Sequence, residues 1–142
     1  MKVKEIMTKD VATLNPEDTV ERAAQLMNQY NVGVIPVCRE EEVVGVITDR
    51  DIALRSVSHG ENSRNQTVRE IMTSNPVLVN SETEIHDAAR IMSERQIRRL
   101  PVVENNSLVG IVSLGDLAVE SRLQDDAEKA LSNISEPATP SV

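Results

Sequence analysis

VGVITDRD, at residues 44–51, returns 65 positions later (51 to 116) as VGIVSLGD at residues 109–116. The same offset separates KEIMT at residues 4–8 from REIMT at residues 69–73. A constant offset over both pairs indicates two homologous units in register, and an internal repeat of this kind governs the whole fold. Any site that the units form should therefore occur as a related pair.

The composition limits how such a pair can be stabilised. The chain has 142 residues, of which 39% are hydrophobic, and this is enough for a real core. A single repeat of about 55 residues would be marginal alone, so we expect the two to share a core or a large interface. Tyr30 is the only aromatic residue, so aliphatic side chains and Met must fill the interior.

Charge and cysteine content exclude several classes of protein. The net charge is -8, whereas a nucleic-acid binder needs a basic surface and often aromatic side chains for stacking. Cys38 is the only cysteine, so no disulfide can form within the chain and a reducing compartment is expected. The N-terminal residues lack the apolar run of a signal peptide, and no stretch approaches 18 apolar residues. We therefore expect a cytoplasmic protein without a nucleic-acid or membrane partner.

Each repeat opens with a short strand and an amphipathic helix. Val11 to Leu14 is a short apolar run, and Asn15-Pro16 after it suits a helix N-cap followed by the first helical turn. The helix that follows has an apolar stripe with the spacing i, i+3, i+4, i+7, and the second repeat copies it. The two stripes are Val20, Ala23, Ala24 and Met27, and Ile85, Ala88, Ala89 and Met92.

A hairpin and a second helix complete each repeat. The β-branched runs at residues 32–38 and 43–48 predict one hairpin, and those at 97–103 and 108–113 predict the other. Asn105-Asn106 lies at the second turn, where Asn tolerates the positive φ that a tight hairpin needs. Thr48 and Ser113 then open the second helices. The order is β-α-β-β-α, twice, which predicts an α/β (α+β) fold.

The chain divides into four segments on this reading. Residues 1–58 form the first repeat, 59–66 the linker, 67–123 the second repeat, and 124–142 a C-terminal helix with a disordered tail. The helix is predicted because apolar residues keep helical spacing, and it has a possible docking role. These residues are Ala127, Ala130, Leu131 and Ile134.

The residues richest in chemistry lie where the hairpin meets the second helix. Backbone N–H groups at a helix start can bind a phosphate, with the Thr48 hydroxyl as a further donor, and Asp51 could accept the hydroxyls of a ribose. Gly45 would let a ligand approach the strand closely. The alternative is a capping box, in which Thr48 and Asp51 only satisfy the helix's own N–H groups. Ser113 and Asp116 repeat the pattern and do not separate the two interpretations.

The repeats differ most at the start of the core hairpin. Arg98-Arg99 precedes Leu-Pro-Val in the second repeat, where the first has Gly33-Val34. Adjacent arginines beside a core strand are costly for folding alone, and strand alternation points one to each face. We therefore expect one of them to face a cleft and an anion.

Other conspicuous residues have structural explanations. Met7, Met27, Met72 and Met92 occupy equivalent positions and are expected to fill core space. Cys38 ends an apolar strand and is expected to be a small buried hydrophobe. His59 lies in the linker and His86 on an exposed helix face, without a partner for metal binding or general-base catalysis. The sequence thus predicts no catalytic residue and no metal site.

The doubled pattern resembles a pair of cystathionine-β-synthase (CBS) domains, the two-repeat unit called a Bateman module, of the stand-alone bacterial or archaeal type. The resemblance extends from Lys2 to Leu123, and its motifs are specific in combination. They are Ile6-Met7-Thr8, Val34-Ile35-Pro36-Val37, Gly45 to Ile52, Arg98 to Val103, and Gly110 to Leu117.

The resemblance implies two repeats packed with pseudo-twofold symmetry and clefts that bind AMP, ADP, ATP or S-adenosylmethionine, with no cofactor required. By likeness to the family, Thr48 and Ser113 would contact phosphate, and Asp51 and Asp116 would hold the ribose. Arg98 and Arg99 would reach phosphate, often across the repeat interface, and adenine would lie against Val34, Ile35 and Pro36. Arg50 and Asp49 are replaced by Gly115 and Leu114 in the second copy, so the two sites should be unequal.

Three classes of function follow from these observations. The first is a non-catalytic sensor that binds an adenosine-containing ligand and transmits its occupancy to a protein partner that the sequence does not identify. The second is an enzyme, but the chain is too short to add a catalytic barrel of about 250 residues. The third is a structural dimerisation module with empty clefts. Homodimers are expected under the first and third classes.

Overall fold

The computed structural model describes residues 1–120 and 124–137, which divide between two compact units. The Thr48 unit contains Asp10–Pro76 and Asn105–Leu108, and the Ser113 unit contains Met1–Lys9, Val77–Glu104 and the described part of Val109–Val142. The units therefore exchange the segments with which the repeats begin. Residues 1–9 open the first repeat but belong to the Ser113 unit, whereas the opening of the second repeat, up to Pro76, belongs to the Thr48 unit.

The Thr48 unit is built on an antiparallel hairpin. Its elements are α1 (Val20–Tyr30), β1 (Val34–Arg39), β2 (Glu42–Thr48), α2 (Asp49–Arg55), α3 (Val68–Ile71) and β3 (Thr73–Ser74). Strand β1 pairs with β2 from Val34↔Thr48 to Arg39↔Glu42, and β3 adds to the other side of β2. The predicted hairpin is confirmed.

The Ser113 unit likewise places a hairpin between two helices, and α6 follows the second of them. Its elements are β4 (Val79–Asn80), α4 (Ile85–Arg95), β5 (Arg99–Glu104), β6 (Ser107–Ser113), α5 (Leu114–Val119) and α6 (Gln124–Ile134), except that the first two residues of β6 and the turn before them are grouped with the Thr48 unit. Strand β4 runs parallel to β5, which neighbours β6. Asn105 and Asn106 have φ of 49° and 68°, so the prediction of positive φ at this turn is confirmed.

The predicted start of the first helix is wrong. Helix α1 begins at Val20, and the Thr19 side chain caps it by accepting from the Arg22 N–H at 3.1 Å. The Asn15 side chain instead accepts from the Glu17 N–H at 3.0 Å, because Asn can close a turn on its own backbone as readily as it can cap a helix. The predicted strand before it is reduced to a single bridge between Leu14 and Val37.

Each unit has its own cluster of buried apolar residues. One apolar cluster includes Ile35, Ile47 and α1, and the other includes Leu100, Val112 and α4. The exchanged segments belong to these cores: Val3 is fully buried in the Ser113 unit, and Val68 is fully buried in the Thr48 unit. The exchange is thus fixed by apolar burial.

The predicted apolar stripe is more completely buried in the helix of the second repeat than in that of the first. All four stripe residues of α4 are buried, whereas in α1 Ala24 is exposed and Leu26 takes its place in the core. Ala89, the counterpart of Ala24, belongs to the same buried cluster as Ala127 and Ala130 of α6. The two repeats therefore differ because α6 packs on α4.

The methionines fill core space to different degrees. Met27 and Met92 are buried, as predicted. Met7 and Met72 are only half-buried and pack at the edges of their cores. Their thioethers approach glycines of the central strands, Met72 at Gly45 and Met7 at Gly110.

The predicted C-terminal helix is present and docked. In α6, Ala127 and Ala130 are buried against α4 and α5. The Gln96 side-chain amide donates to the Asn133 carbonyl at 3.1 Å, and His86 Nδ1 lies 2.9 Å from Asp126 Oδ1. His86 thus has a carboxylate partner that was not predicted. The disordered tail was predicted for Ser135 to Val142, of which residues 138–142 lie outside the described residues.

Gly45 and Gly110 give the exchanged segments room. A Cβ at Gly110 would lie 2.7 Å from the Thr8 carbonyl and 2.8 Å from Met7 Sδ, and one at Gly45 would lie 2.9 Å from the Thr73 carbonyl. The expectation that Gly45 admits a ligand is therefore wrong, because the chain's own backbone fills that space.

We expect Gly110→Ala to lower the free energy of unfolding by about 1–3 kcal/mol, since a backbone carbonyl must move to admit the methyl group. Gly115→Ala is the matched control, because its added Cβ would lie 3.5 Å from the nearest side chain and helix propensity favours Ala by up to about 1 kcal/mol. Urea unfolding measures both. Equal stability of the two variants would contradict the packing role of Gly110.

Candidate functional site

Both Ser/Thr-x-x-Asp motifs are closed capping boxes. The Asp51 N–H donates to Thr48 Oγ1 at 3.0 Å, and the Thr48 N–H donates to Asp51 Oδ2 at 2.9 Å. The second copy, Ser113 and Asp116, has the same bonds at 3.1 and 2.8 Å. The capping-box hydrogen bonds are therefore present in both units. They use one oxygen of each carboxylate.

The first turn of each second helix is also tied to the residue that precedes the hairpin. The Asp49 N–H donates to the Gly33 carbonyl at 3.0 Å, and the Leu114 N–H donates to the Arg98 carbonyl at 2.8 Å. These bonds place the start of β1 beside Thr48 and the start of β5 beside Ser113. They also use N–H groups that a phosphate at the helix start would need. This weakens the prediction that backbone N–H groups at the start of the second helix bind a phosphate.

The Thr48 unit brings only part of its predicted site to the surface. Ile35 is fully buried and Pro36 is buried, whereas Val34 is half-buried next to Thr48 in the strand register. Arg50 is exposed, and its N–H donates to Asp49 Oδ1 at 2.8 Å. The second oxygen of Asp51 lies 3.8 Å from Arg55 Nε. Much of the hydrogen-bonding capacity here is already directed at the protein itself.

The Ser113 unit holds a cavity of about 580 Å³ at the corresponding place. Side chains of β5, α5 and α6 line it, together with both predicted arginines. The described lining residues are Arg98, Arg99, Ser113, Leu114, Gly115, Ala118, Ala127, Glu128 and Leu131. This volume lies within the range of small-molecule sites.

Arg98 and Arg99 both border this cavity, although alternation predicted opposite faces. Strand β5 begins only at Arg99, so the strand period does not apply to Arg98. Both are exposed, and neither side chain has a hydrogen bond or ion pair within residues 1–120 and 124–137. Two guanidinium groups without a counter-ion beside a cavity suit a phosphate or carboxylate, whose oxygens match the guanidinium fork.

Sequence reasoning missed the contribution of α6 to this cavity. Ala127, Glu128 and Leu131 line it, and Glu128 brings a carboxylate to the cavity. The helical spacing of α6 was visible in the sequence, but its docking surface was not. The apolar stripe predicted that α6 packs on something, without indicating what.

The remaining titratable residues give no second site. Cys38 is buried, and burial raises the pKa of its thiol, so the thiolate that a nucleophile requires is disfavoured. Within the described ranges, no group of three or more His, Cys, Asp or Glu side chains is arranged to hold a metal ion. No helix in those ranges is both long and apolar enough to span a bilayer.

Comparison with known proteins gives a consistent family. A family model for the CBS domain matches residues 3–58 and 68–122. The CBS domain-containing protein YhcV of Bacillus subtilis (strain 168) is 47% identical over 133 residues, which are 94% of this chain and 94% of the relative.

Solved structures of similar proteins share the fold. The CBS domain protein PAE2072 from Pyrobaculum aerophilum, complexed with AMP, has a TM-score of 0.80 at 26% identity, covering 90% of this chain and 98% of its own. The conserved CBS domain protein TA0289 from Thermoplasma acidophilum has a TM-score of 0.80 at 28% identity, covering 94% of this chain and 75% of its own.

Because the Ser113 hydroxyl caps α5, we expect Ser113→Ala to lower the free energy of unfolding by about 1 kcal/mol in the absence of any ligand. Ser132→Ala is the control, since Ser132 is exposed within α6 and replacement by Ala is neutral or slightly favourable there. Thermal or urea unfolding measures the difference. A Ser113→Ala variant as stable as the control would show that the cap contributes nothing.

Proposed function

The chain belongs to the CBS domain family, and we propose that it is a non-catalytic regulatory module that binds an adenosine-containing ligand. The ligand class comprises AMP, ADP, ATP and S-adenosylmethionine. One observation carries the proposal: the cavity at Ser113 is bordered by two arginines whose side chains form no hydrogen bond or ion pair within residues 1–120 and 124–137. An anionic ligand would supply the missing charge.

Each part of a nucleotide has a plausible counterpart at this cavity. Phosphate oxygens would accept from the guanidinium groups of Arg98 and Arg99. Asp116 is not among the described lining residues of the cavity, but it follows Gly115, which is; its second oxygen lies outside the capping box and would accept from the ribose hydroxyls. The apolar side chains Leu114 and Leu131 would cover the flat base. The match is to the general chemistry of a nucleotide and does not by itself choose the phosphate number.

A solved relative supports the ligand class. PAE2072 is complexed with AMP and has the same fold as this chain. The unpaired arginines make the same kind of ligand chemically reasonable here. AMP is therefore the first ligand to test, with ADP, ATP and S-adenosylmethionine after it.

A related but weaker site is proposed in the Thr48 unit, formed by Thr48, Arg50, Asp51 and Val34. It is weaker because Arg55 approaches the free oxygen of Asp51 and Asp49 accepts from the Arg50 N–H. Position 120 in the second repeat, the counterpart of Arg55, is Glu. The two sites are accordingly proposed to differ in affinity.

The proposed role is regulatory, in a cytoplasmic homodimer that reports ligand occupancy to another protein. The sites described offer groups that bind and orient, namely arginines, capped carboxylates and apolar walls. A binding module needs only these groups, because its output is a change in its contacts with a partner.

A structural dimerisation module is the second candidate. It is favoured by exposed apolar side chains. Val57 is 68% exposed and Val119 is 86% exposed, and self-association would cover such surfaces. The candidates separate on nucleotide binding, since only the first requires it.

We expect AMP to bind the wild-type chain in isothermal titration calorimetry, and the double variant Arg98→Gln, Arg99→Gln to bind at least about tenfold more weakly, because charge-assisted hydrogen bonds are lost. Arg90→Gln, Arg95→Gln removes two charges from α4 of the same unit and serves as the control. Absence of heat with all four ligands would reject the sensor proposal in favour of the dimerisation module.

We expect Asp51→Ala to lower the AMP stoichiometry by removing the weaker site while leaving the Ser113 site and the oligomeric state unchanged. Glu70→Ala is a matched control: it opens another capping box in the same unit, with Thr67, and costs a similar stability of about 1 kcal/mol. Calorimetry gives the stoichiometry and light scattering the mass. An unchanged stoichiometry in Asp51→Ala would reject the second site.

A further inference from the structure

We propose that Glu128 of α6 sets the charge of the ligand that the Ser113 cavity accepts, favouring a nucleoside monophosphate over a triphosphate. This inference rests on the proposed nucleotide-binding function and adds a specificity-determining residue to it. The family model ends at residue 122, and Glu128 lies beyond it. The wall that Glu128 supplies therefore comes from outside the part of the chain that the family match covers.

Helix α6 holds Glu128 at the cavity. Its neighbour Ala127 is 6% exposed and Ala130 is fully buried in the core of the Ser113 unit. Two polar contacts to α4, from His86 to Asp126 and from Gln96 to the Asn133 carbonyl, fix the helix on both sides of Glu128. Because α6 is docked, its backbone keeps Glu128 beside the cavity, whereas a free segment could move away.

The charges around the cavity favour a ligand of limited negative charge. Its described lining residues include two cations, Arg98 and Arg99, and one anion, Glu128. The single phosphate of a nucleoside monophosphate carries about −1.5 to −2 at neutral pH, which the two guanidinium groups can neutralise. Each further phosphate adds negative charge that the arginines no longer balance and that Glu128 repels. Because Glu128 is exposed, this repulsion is reduced by salt.

The first repeat lacks this carboxylate in its sequence. The residue 65 positions before Glu128 is Ser63, which lies in the linker. Among the two candidate sites, this acidic wall is therefore found only at the Ser113 cavity. The proposed selectivity for phosphate number should belong to the Ser113 cavity and not to the Thr48 site.

The test is a calorimetric titration of the full chain with AMP and, separately, with ATP free of magnesium. The variant is Glu128→Gln, which keeps the size of an exposed side chain and removes its charge. Glu136→Gln is the matched control, because Glu136 is exposed and lies beyond the end of α6. The Arg98→Gln, Arg99→Gln variant measures the heat that arises outside this cavity, and circular dichroism verifies that each variant is folded.

We expect Glu128→Gln to tighten ATP binding about tenfold and AMP binding about threefold or less, since one like charge is removed beside a polyanion. Glu136→Gln should leave the ratio of the two dissociation constants unchanged. If the wild-type cavity binds AMP but Glu128→Gln leaves that ratio as it was, the role of Glu128 is refuted and the nucleotide-binding function stands. If the wild type binds neither nucleotide at this cavity, the proposed function fails and this inference fails with it.

Discussion

The hydrogen bond from the first N–H of each second helix to the residue before the hairpin is the constraint on which both sites depend. Leu114 donates to the Arg98 carbonyl, and Asp49 donates to the Gly33 carbonyl. The bond brings the start of the second helix beside the start of the hairpin, which lies about fifteen residues earlier in the sequence. Together with the capping box, this bond satisfies the backbone hydrogen-bonding groups at the corner where the hairpin meets the second helix. The side chains at this corner are therefore free to vary.

Variation at that fixed corner explains why the two copies differ in chemistry but not in fold. The first copy has Gly33 where the second has Arg98, and it has Asp49 where the second has Leu114. In the first copy Asp49 accepts from its neighbour's N–H, and the corner is largely satisfied by its own groups. In the second, apolar and cationic side chains surround a cavity instead. Duplication preserved the backbone constraint, and substitution then separated the sites.

Local patterns predicted the local structure, and the errors lie where distant segments meet. The hairpins and the caps at Thr48 and Ser113 follow from residues a few positions apart, so the sequence sufficed. The exchange of the segments that begin the repeats depends on Met7 reaching Gly110 and on Met72 reaching Gly45, which no local pattern encodes. The prediction of Asn15 as an N-cap was wrong for a different reason. Its side chain can accept a hydrogen bond in a turn as well as in a helix cap, and Thr19 already caps α1. The surface on which α6 packs could not be predicted from the sequence either, because an apolar stripe does not identify its packing partner.

Because α6 is docked, the stability of the Ser113 unit and the shape of its cavity depend on the same helix. Ala127 lines the cavity and also belongs to the buried cluster of the unit, so α6 cannot leave its place without opening the cavity and exposing core side chains. A ligand that contacts α6 binds the docked state in preference to the undocked one, and linkage requires that it stabilise the docking by the same free energy. Under the proposed function, the docking of α6 is thereby coupled to the occupancy of the cavity, and ligand binding would alter a surface that another protein can recognise.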